Sequence, residues 1–313
     1  MEVRIKGSIL SLLSKSHSFV SGEAMSRVLG VSRVSVWKHV QNLRALGYPI
    51  AVSPKGYRLQ EVPADMLFPW EFPGMESKVH FFGEIDSTMT MARRLADEGH
   101  DRGTLVIAEK QRAGRGRDGR SWESETGGLY FTLLLAPKVP LPLGGRILLG
   151  ASLALARTLR NRYGVRARLK WPNDVLIGEK KVAGMLADTQ TESDLISRCN
   201  LGIGVNVNNR PDVPDSCSLA DMLGRSVTRK DLLIAFLDEL ERTMDRYTRE
   251  DLISEWKSLS CTIGRRVKIA TPRGSVTGRA VDVDSTGALI VEEGGQRQVL
   301  YYGDCHHIGR QNT

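Results

Sequence analysis

The chain has 313 residues, enough for two or three domains, and its 41% hydrophobic and 26% charged residues are those of a folded protein. No apolar run is long enough to span a bilayer and no secretory signal pattern opens the chain, so a cytoplasmic protein without a membrane partner is expected; four scattered cysteines without a CxxC pair argue against a disulfide framework or a zinc site. The formal net charge of +8 is concentrated: residues 1–60 hold nine Lys and Arg against two acids, while the remainder is nearly balanced at 35 against 34.

That basic segment is patterned. Ile5, Ile9, Leu12 and Leu13 recur at helical spacing. Ser21 is placed to cap a second helix with Met25, Val28 and Leu29 inside, and Gly30 breaks it. Ser32 is placed to cap a third helix with Val36, Val40, Leu43 and Leu46 as its buried stripe. Two short helices around a tight glycine turn predict a helix-turn-helix. Ser32, Arg33, Ser35, Lys38, His39 and Asn42 would then face a major groove, with Trp37 at the margin. After Gly47 the period changes: Ile50–Val52 and Tyr57–Leu59 flank Ser53-Pro54-Lys55-Gly56, a hairpin that makes the unit a winged helix. Lys55 and Arg58 would lie on the wing beside the DNA backbone. The winged helix is expected over residues 1–62. A Pro-containing linker (Pro63, Pro69, Pro73) follows over 63–78.

Residues 79–261 mix strands and helices. A strand through His80-Phe81-Phe82 leads to Asp86-Ser87-Thr88, where Ser87 or Thr88 could cap a helix or bind a ligand, with capping the commoner role. That helix has Met91, Ala92, Leu95 and Ala96 inside and ends at Gly99. Thr104–Ala108 and Leu129–Leu135 read as buried strands. Between them runs Gly114-Arg115-Gly116-Arg117-Asp118-Gly119-Arg120-Ser121-Trp122. Glycine lets backbone approach an anion closely, and arginine presents a planar fork suited to phosphate or carboxylate. A long unstructured excursion between strands is usually functional. A helix over Arg146–Tyr163 and a strand over Val165–Lys170 follow. Pro172 then interrupts pairing and presents Asn173 and Asp174 at a strand edge. Val175–Ile177 and Val182–Leu186 form a hairpin around Gly178–Lys181, with Lys181 just inside it and able to face the arginine loop. In Asn200–Asn208, Gly202 and Gly204 mark close approach of a backbone or ligand. Thr228 and Asp231 read as the cap of an amphipathic helix through Leu232, Leu233, Phe236, Leu237 and Leu240.

From 262 to 313 short strands (Val267–Ile269, Ser275–Val283, Ala288–Val291, Val299–Tyr302) alternate with turns at Pro272–Gly274, Asp284–Gly287 and Glu293–Gly295, predicting a small β-barrel. Cys305-His306-His307 lacks the second ligand pair a metal site would need. The fold class expected is α+β multidomain: a winged helix-turn-helix, a central α/β domain with a mixed sheet, and a small C-terminal barrel.

The motifs GRGRDGRSW, KWPNDV, KKVAGML and GIGVNVN, in this order and after a winged helix, resemble biotin–protein ligases that also repress the biotin-synthesis operon. The resemblance covers almost the whole chain and implies that the barrel is SH3-like. It implies that biotin and ATP form biotinyl-5′-AMP, and that the acyl group passes to a lysine of a biotin carboxyl carrier protein. It implies catalytic roles for Arg115, Arg117 and Lys181, and a biotin pocket of Ser87, Thr88, Met89, Gln111, Gly114, Arg115, Gly116, Arg117, Lys181 and Gly184. It further implies nucleotide contacts from Arg117, Arg120, Trp122, Asn173, Asp174 and Asn206, with Trp122 over adenine. Mg²⁺ is expected with ATP, and no pattern names its ligands. Operator DNA and an adenylate-driven homodimer complete the expected partners. Met89 stands where many members have Asn, and Asp118 where a basic or small residue is common. The competing readings are a biotin-responsive regulator without ligase activity, against which the intact arginine loop and Lys181 count, and a lipoyl or octanoyl transferase, against which the KWPND and GRGR motifs count.

Overall fold

The computed structural model describes residues 2–61, 65–245 and 250–309. The chain divides into two compact units, Met1–Phe81 and Phe82–Thr313.

The first unit contains α1 (Glu2–Ser14), α2 (Gly22–Leu29), α3 (Arg33–Ala45), β1 (Ile50–Ser53) and β2 (Gly56–Leu59). Both caps read from the sequence form: Ser21 Oγ accepts from the Ala24 N–H and Ser32 Oγ from the Ser35 N–H, each at 3.1 Å. Gly30 closes α2 at φ 65°, a left-handed conformation that glycine adopts without a Cβ penalty. Ile9, Leu13, Met25, Val36, Val40 and Leu43 form the core, and β1 pairs with β2 as the expected hairpin. Val28 departs from expectation at 67% exposure. The inner stripe of the two-turn α2 runs through Met25 and Leu29, one helical turn apart, and this turns Val28 outward.

The segment read as a linker is folded where it is described; Pro63 lies outside the described residues. Leu67 and Phe72 are buried. Phe68 stacks on Trp70 at 5.0 Å, and the Lys6 ammonium lies 5.1 Å from the Trp70 ring. Trp70 Nε1 donates to the Tyr48 hydroxyl at 2.7 Å, and that hydroxyl donates to Glu71. Burial, with Glu71 beside it, pushes the Tyr48 phenol above its ordinary pKa and keeps it a donor. Aromatic burial thus makes this stretch part of the first unit's core.

Next come β3 (Val79–Ile85), α4 (Thr88–Asp97), β4 (Leu105–Gln111), β5 (Leu129–Leu135), β6 (Val139–Pro140), α5 (Gly145–Tyr163), β7 (Ala167–Lys170), β8 (Asp174–Ile177), β9 (Lys180–Glu192), β10 (Leu195–Val205), α6 (Leu219–Leu223), α7 (Arg229–Met244) and α8 (Glu250–Leu259). One sheet runs β3-β4-β5-β10-β9-β8-β7, with β6 also on β10. The strands from β4 to β7 pair antiparallel along it; β3 reaches its neighbour β4 across α4. The Ala- and Leu-rich α5 is buried along most of its length, and Trp256 on α8 donates its indole N–H to Ser152 on α5 at 3.1 Å. Thr228 sits at the start of α7 but makes no side-chain capping bond, contrary to the sequence reading.

The chain ends in β11 (Arg266–Thr271), β12 (Gly274–Val283), β13 (Leu289–Glu293), β14 (Gln296–Leu300) and β15 (Asp304–His307), an antiparallel five-stranded sheet ordered β14-β13-β12-β11-β15. The Cys305-His306-His307 run is therefore a strand, and the predicted Val299–Tyr302 strand ends at Leu300. Among the described residues no helix is long and apolar enough to cross a membrane.

Candidate active site

The second unit holds a cavity of about 580 Å³. The register of β9 and β10 makes its floor: Gly184 faces Gly204 directly across the pair. The Trp122 indole lies on these two glycines. A Cβ on Gly204 would fall 2.4 Å from Trp122 Nε1, and one on Gly184 would fall 2.9 Å from the ring. Beside them, a Cβ on Gly202 would fall 2.3 Å from Met89 Sδ. The strand glycines thus exist so that two large side chains can lie on bare backbone. Trp122 here packs on the sheet, with its buried N–H unpartnered.

Arg115, Arg117 and Lys181 all line this one cavity, along with Arg120, Thr88, Met89, Gln111, Gly116, Asn173, Asp174 and Gly184. Six lysines and arginines line it against four acidic residues. Lys181 projects from the β8–β9 hairpin, where it pairs with Leu176 beside a register shift. Its ammonium lies 2.7 Å from Asp174 Oδ1 and 5.1 Å from the Trp122 ring centre. The contact with Asp174 is one of charge and distance, without a well-directed hydrogen bond. Arg117 donates to Asn173 Oδ1 at 3.3 Å and to the Gly303 carbonyl at 3.0 Å. Asn173 is fixed in turn by its own donation to the Met185 carbonyl at 2.6 Å. Arg120 pairs with Asp304, which His306 approaches at 2.7 Å. Burial opposes the ionised Asp304 carboxyl, yet the Arg120 hydrogen bond and His306 hold it below the usual carboxylate range. The arginine loop is therefore tethered to the C-terminal sheet. Asp118, between Arg117 and Gly119, takes φ 54°, a left-handed conformation that Asp tolerates better than most residues.

Three expected residues stand outside the cavity lining. Ser87 opens α4 but makes no capping bond, and its buried Oγ has no partner. Gly114 is covered, its Cβ position 2.3 Å from the Trp122 carbonyl oxygen. Asn206 is buried and accepts from Asn209 at 3.0 Å, holding the chain after β10. Gln111 is a brace within the wall: its Oε1 accepts from the Thr88 N–H at 2.8 Å and its Nε2 donates to Ser124 at 2.9 Å. Lining residues missed from sequence include Lys170, Arg265, His306, His307 and the run Val213–Ser216. Lys170 opens the KWPND motif and was findable. Val213–Ser216 carries a single charge, Asp215, and no glycine signature.

Among the described residues no group of three His, Cys, Asp or Glu side chains could hold a metal. Burial pushes the Cys305 thiol up to about 12, so it stays a neutral thiol. Asp174, beside Lys181, is not free to anchor a cation alone. These residues do not fit a resident Mg²⁺; the ion fits as part of the nucleotide substrate, since it commonly binds through phosphates and few carboxylates.

On the first unit, Arg33, Lys38, Asn42 and Lys55 are exposed, Ser35 and His39 are half-buried, and the Ser32 hydroxyl is engaged as the α3 cap. Arg58 lies 4.9 Å over the Phe19 ring.

Residues 81–207 match the model of the Biotin/lipoate A/B protein ligase family, 262–307 that of the Biotin protein ligase C terminal domain, and 7–58 that of an HTH domain. A DNA-binding fold joined to a cation-lined, glycine-floored cavity fits these matches, and the chain belongs to the biotin protein ligase family in its bifunctional ligase/repressor form. It is 33% identical to the bifunctional ligase/repressor BirA of Bacillus subtilis, over 97% of this chain and 99% of that protein. With BirA of Escherichia coli it shares 30% identity over 92% of each. The biotin protein ligase from Aquifex aeolicus in complex with biotin and ATP is similar in structure, with TM-score 0.62 and 29% identity over 73% of this chain and 97% of that one.

Proposed function

We propose that this chain joins biotin to ATP and then to a carrier protein, and that its adenylate-bound form represses biotin-synthesis genes. A biotin carboxylate oxygen attacks the α-phosphorus, the bond from that phosphorus to the bridging oxygen breaks, and pyrophosphate leaves. The ε-amine of a carrier lysine then attacks the acyl carbon of the mixed anhydride, loses a proton, and AMP departs. Carboxylate and triphosphate repel each other, so fixed cations that meet both lower the barrier by stabilising the charge of the transition state. The carrying observation is that Arg115, Arg117 and Lys181 share one cavity above a glycine floor.

In this reading Arg117, braced by Asn173 and the Gly303 carbonyl, and Lys181, held by Asp174, are the preset cations. Arg120 exchanges Asp304 for phosphate. Mg²⁺ enters on the triphosphate. The adenylate promotes a homodimer that sets two winged helices on a palindromic operator. Incubating the protein with a biotin carboxyl carrier domain, biotin and ATP should add one biotin to one carrier lysine by mass spectrometry. An unmodified carrier, with biotin still altering DNA affinity, would favour a regulator without ligase activity.

A further inference from the structure

We propose that Val34 and Trp37 read the C5-methyl groups of thymines in a duplex half-site. The inference rests on the operator-binding reading above and names residues and chemistry it lacks. Helix α3 buries Val36, Val40 and Leu43 on its inner face. Val34 is nevertheless 62% exposed and Trp37 51% exposed. Three residues apart, they are neighbours on one ridge of the helix surface. Large apolar side chains left this open on a short helix mark a contact surface.

Charge selects the occupant. Arg33 and Lys38 flank the ridge, both exposed and without an ion pair among the described residues. The surrounding sixty residues carry the chain's excess positive charge. An apolar protein partner would have no use for those cations. A DNA major groove meets both features: phosphates line its edges, and the thymine methyl is its apolar element, distinguishing T from the other bases. Val34 supplies a compact branched surface and Trp37 a broad one.

The test uses the full chain with biotin and ATP present. A random duplex library is first selected for bound sequences. Each thymine of the selected site is then replaced by deoxyuridine, which removes the methyl and leaves the pairing edge intact. Wild-type binding is expected to weaken about fourfold at each contacted position, the effect of uncovering one methyl. Val34→Ala and Trp37→Ala should each bind thymine and uracil duplexes equally at one position. Both should retain wild-type binding to a random duplex at low salt, which reports a folded winged helix. Equal wild-type binding to thymine and uracil duplexes throughout overturns the inference alone, as do variants that keep full discrimination. Variants that change only self-association would assign the ridge to a second copy of the chain and overturn it too. If no sequence is enriched, the operator reading falls with it.

Discussion

Single side chains set the cavity's tolerance. Met89 and Trp122 both lie where a Cβ would intrude, but a thioether can swing aside and an indole lying on Gly184 and Gly204 cannot. Gly204→Ala should therefore raise the KM for ATP roughly tenfold or more, the usual scale of overpacking a tight site, while Gly202→Ala shifts the KM for biotin within about threefold. Biotin-dependent pyrophosphate exchange measures both; equal effects would mean that Trp122 moves freely. Lys181→Ala should slow that exchange about 100- to 1000-fold, the scale for removing one preorganised donor. It also leaves Asp174 without its cation, so stability should fall; adding Asp174→Asn should restore the unfolding midpoint but not the rate. Recovery of the rate would reassign Lys181 to structure. The arginine loop and Lys181 were legible in sequence because charge and glycine advertise themselves. The bracing of Asn206 by Asn209 was not legible, because an amide that holds a buried turn looks, in a sequence, like one that meets a ligand.

Elements were legible where apolar periodicity was strong. The winged helix, α5 and the strands flanking the arginine loop follow the expected runs. The outer arms of β9 and β10 were not seen, since Gln190, Glu192 and Leu195 are exposed and carry no buried alternation. Strand β15 was hidden because Cys-His-His offers no strand signature, though β11 pairs with it from Ala270 to Val267. Burial, with Lys170 and Arg265 nearby, lowers the His307 pKa from 6.5 to about 4. Between these values the unfolded chain binds a proton that the folded one refuses, so stability is full above pH 6.5 and falls as pH drops toward 4. Urea midpoints at pH 7.5 and 5 should differ, and His307→Gln should shrink that difference; an unchanged gap would clear His307. Aromatic residues in a Pro-containing stretch concealed a folded segment behind a linker's composition. A chain starting at residue 62 should aggregate more than one starting at Glu76, because it exposes Met66, Phe68 and Trp70, which pack on the first unit's core; light scattering decides.

For the molecule as a whole, the proposed coupling predicts that biotin plus ATP raises both the sedimentation coefficient and the affinity for a selected operator, and that neither rises with Lys181→Ala. Operator affinity indifferent to biotin and ATP would separate the two activities. The tether of Arg117 to Gly303 and of Arg120 to Asp304 has a consequence for synthesis. The first unit is built from neighbouring residues and can fold soon after leaving the ribosome, whereas the arginine loop waits for a strand nearly two hundred residues downstream. A nascent or prematurely stopped chain thus carries its winged helix before its arginine loop has a strand to lean on.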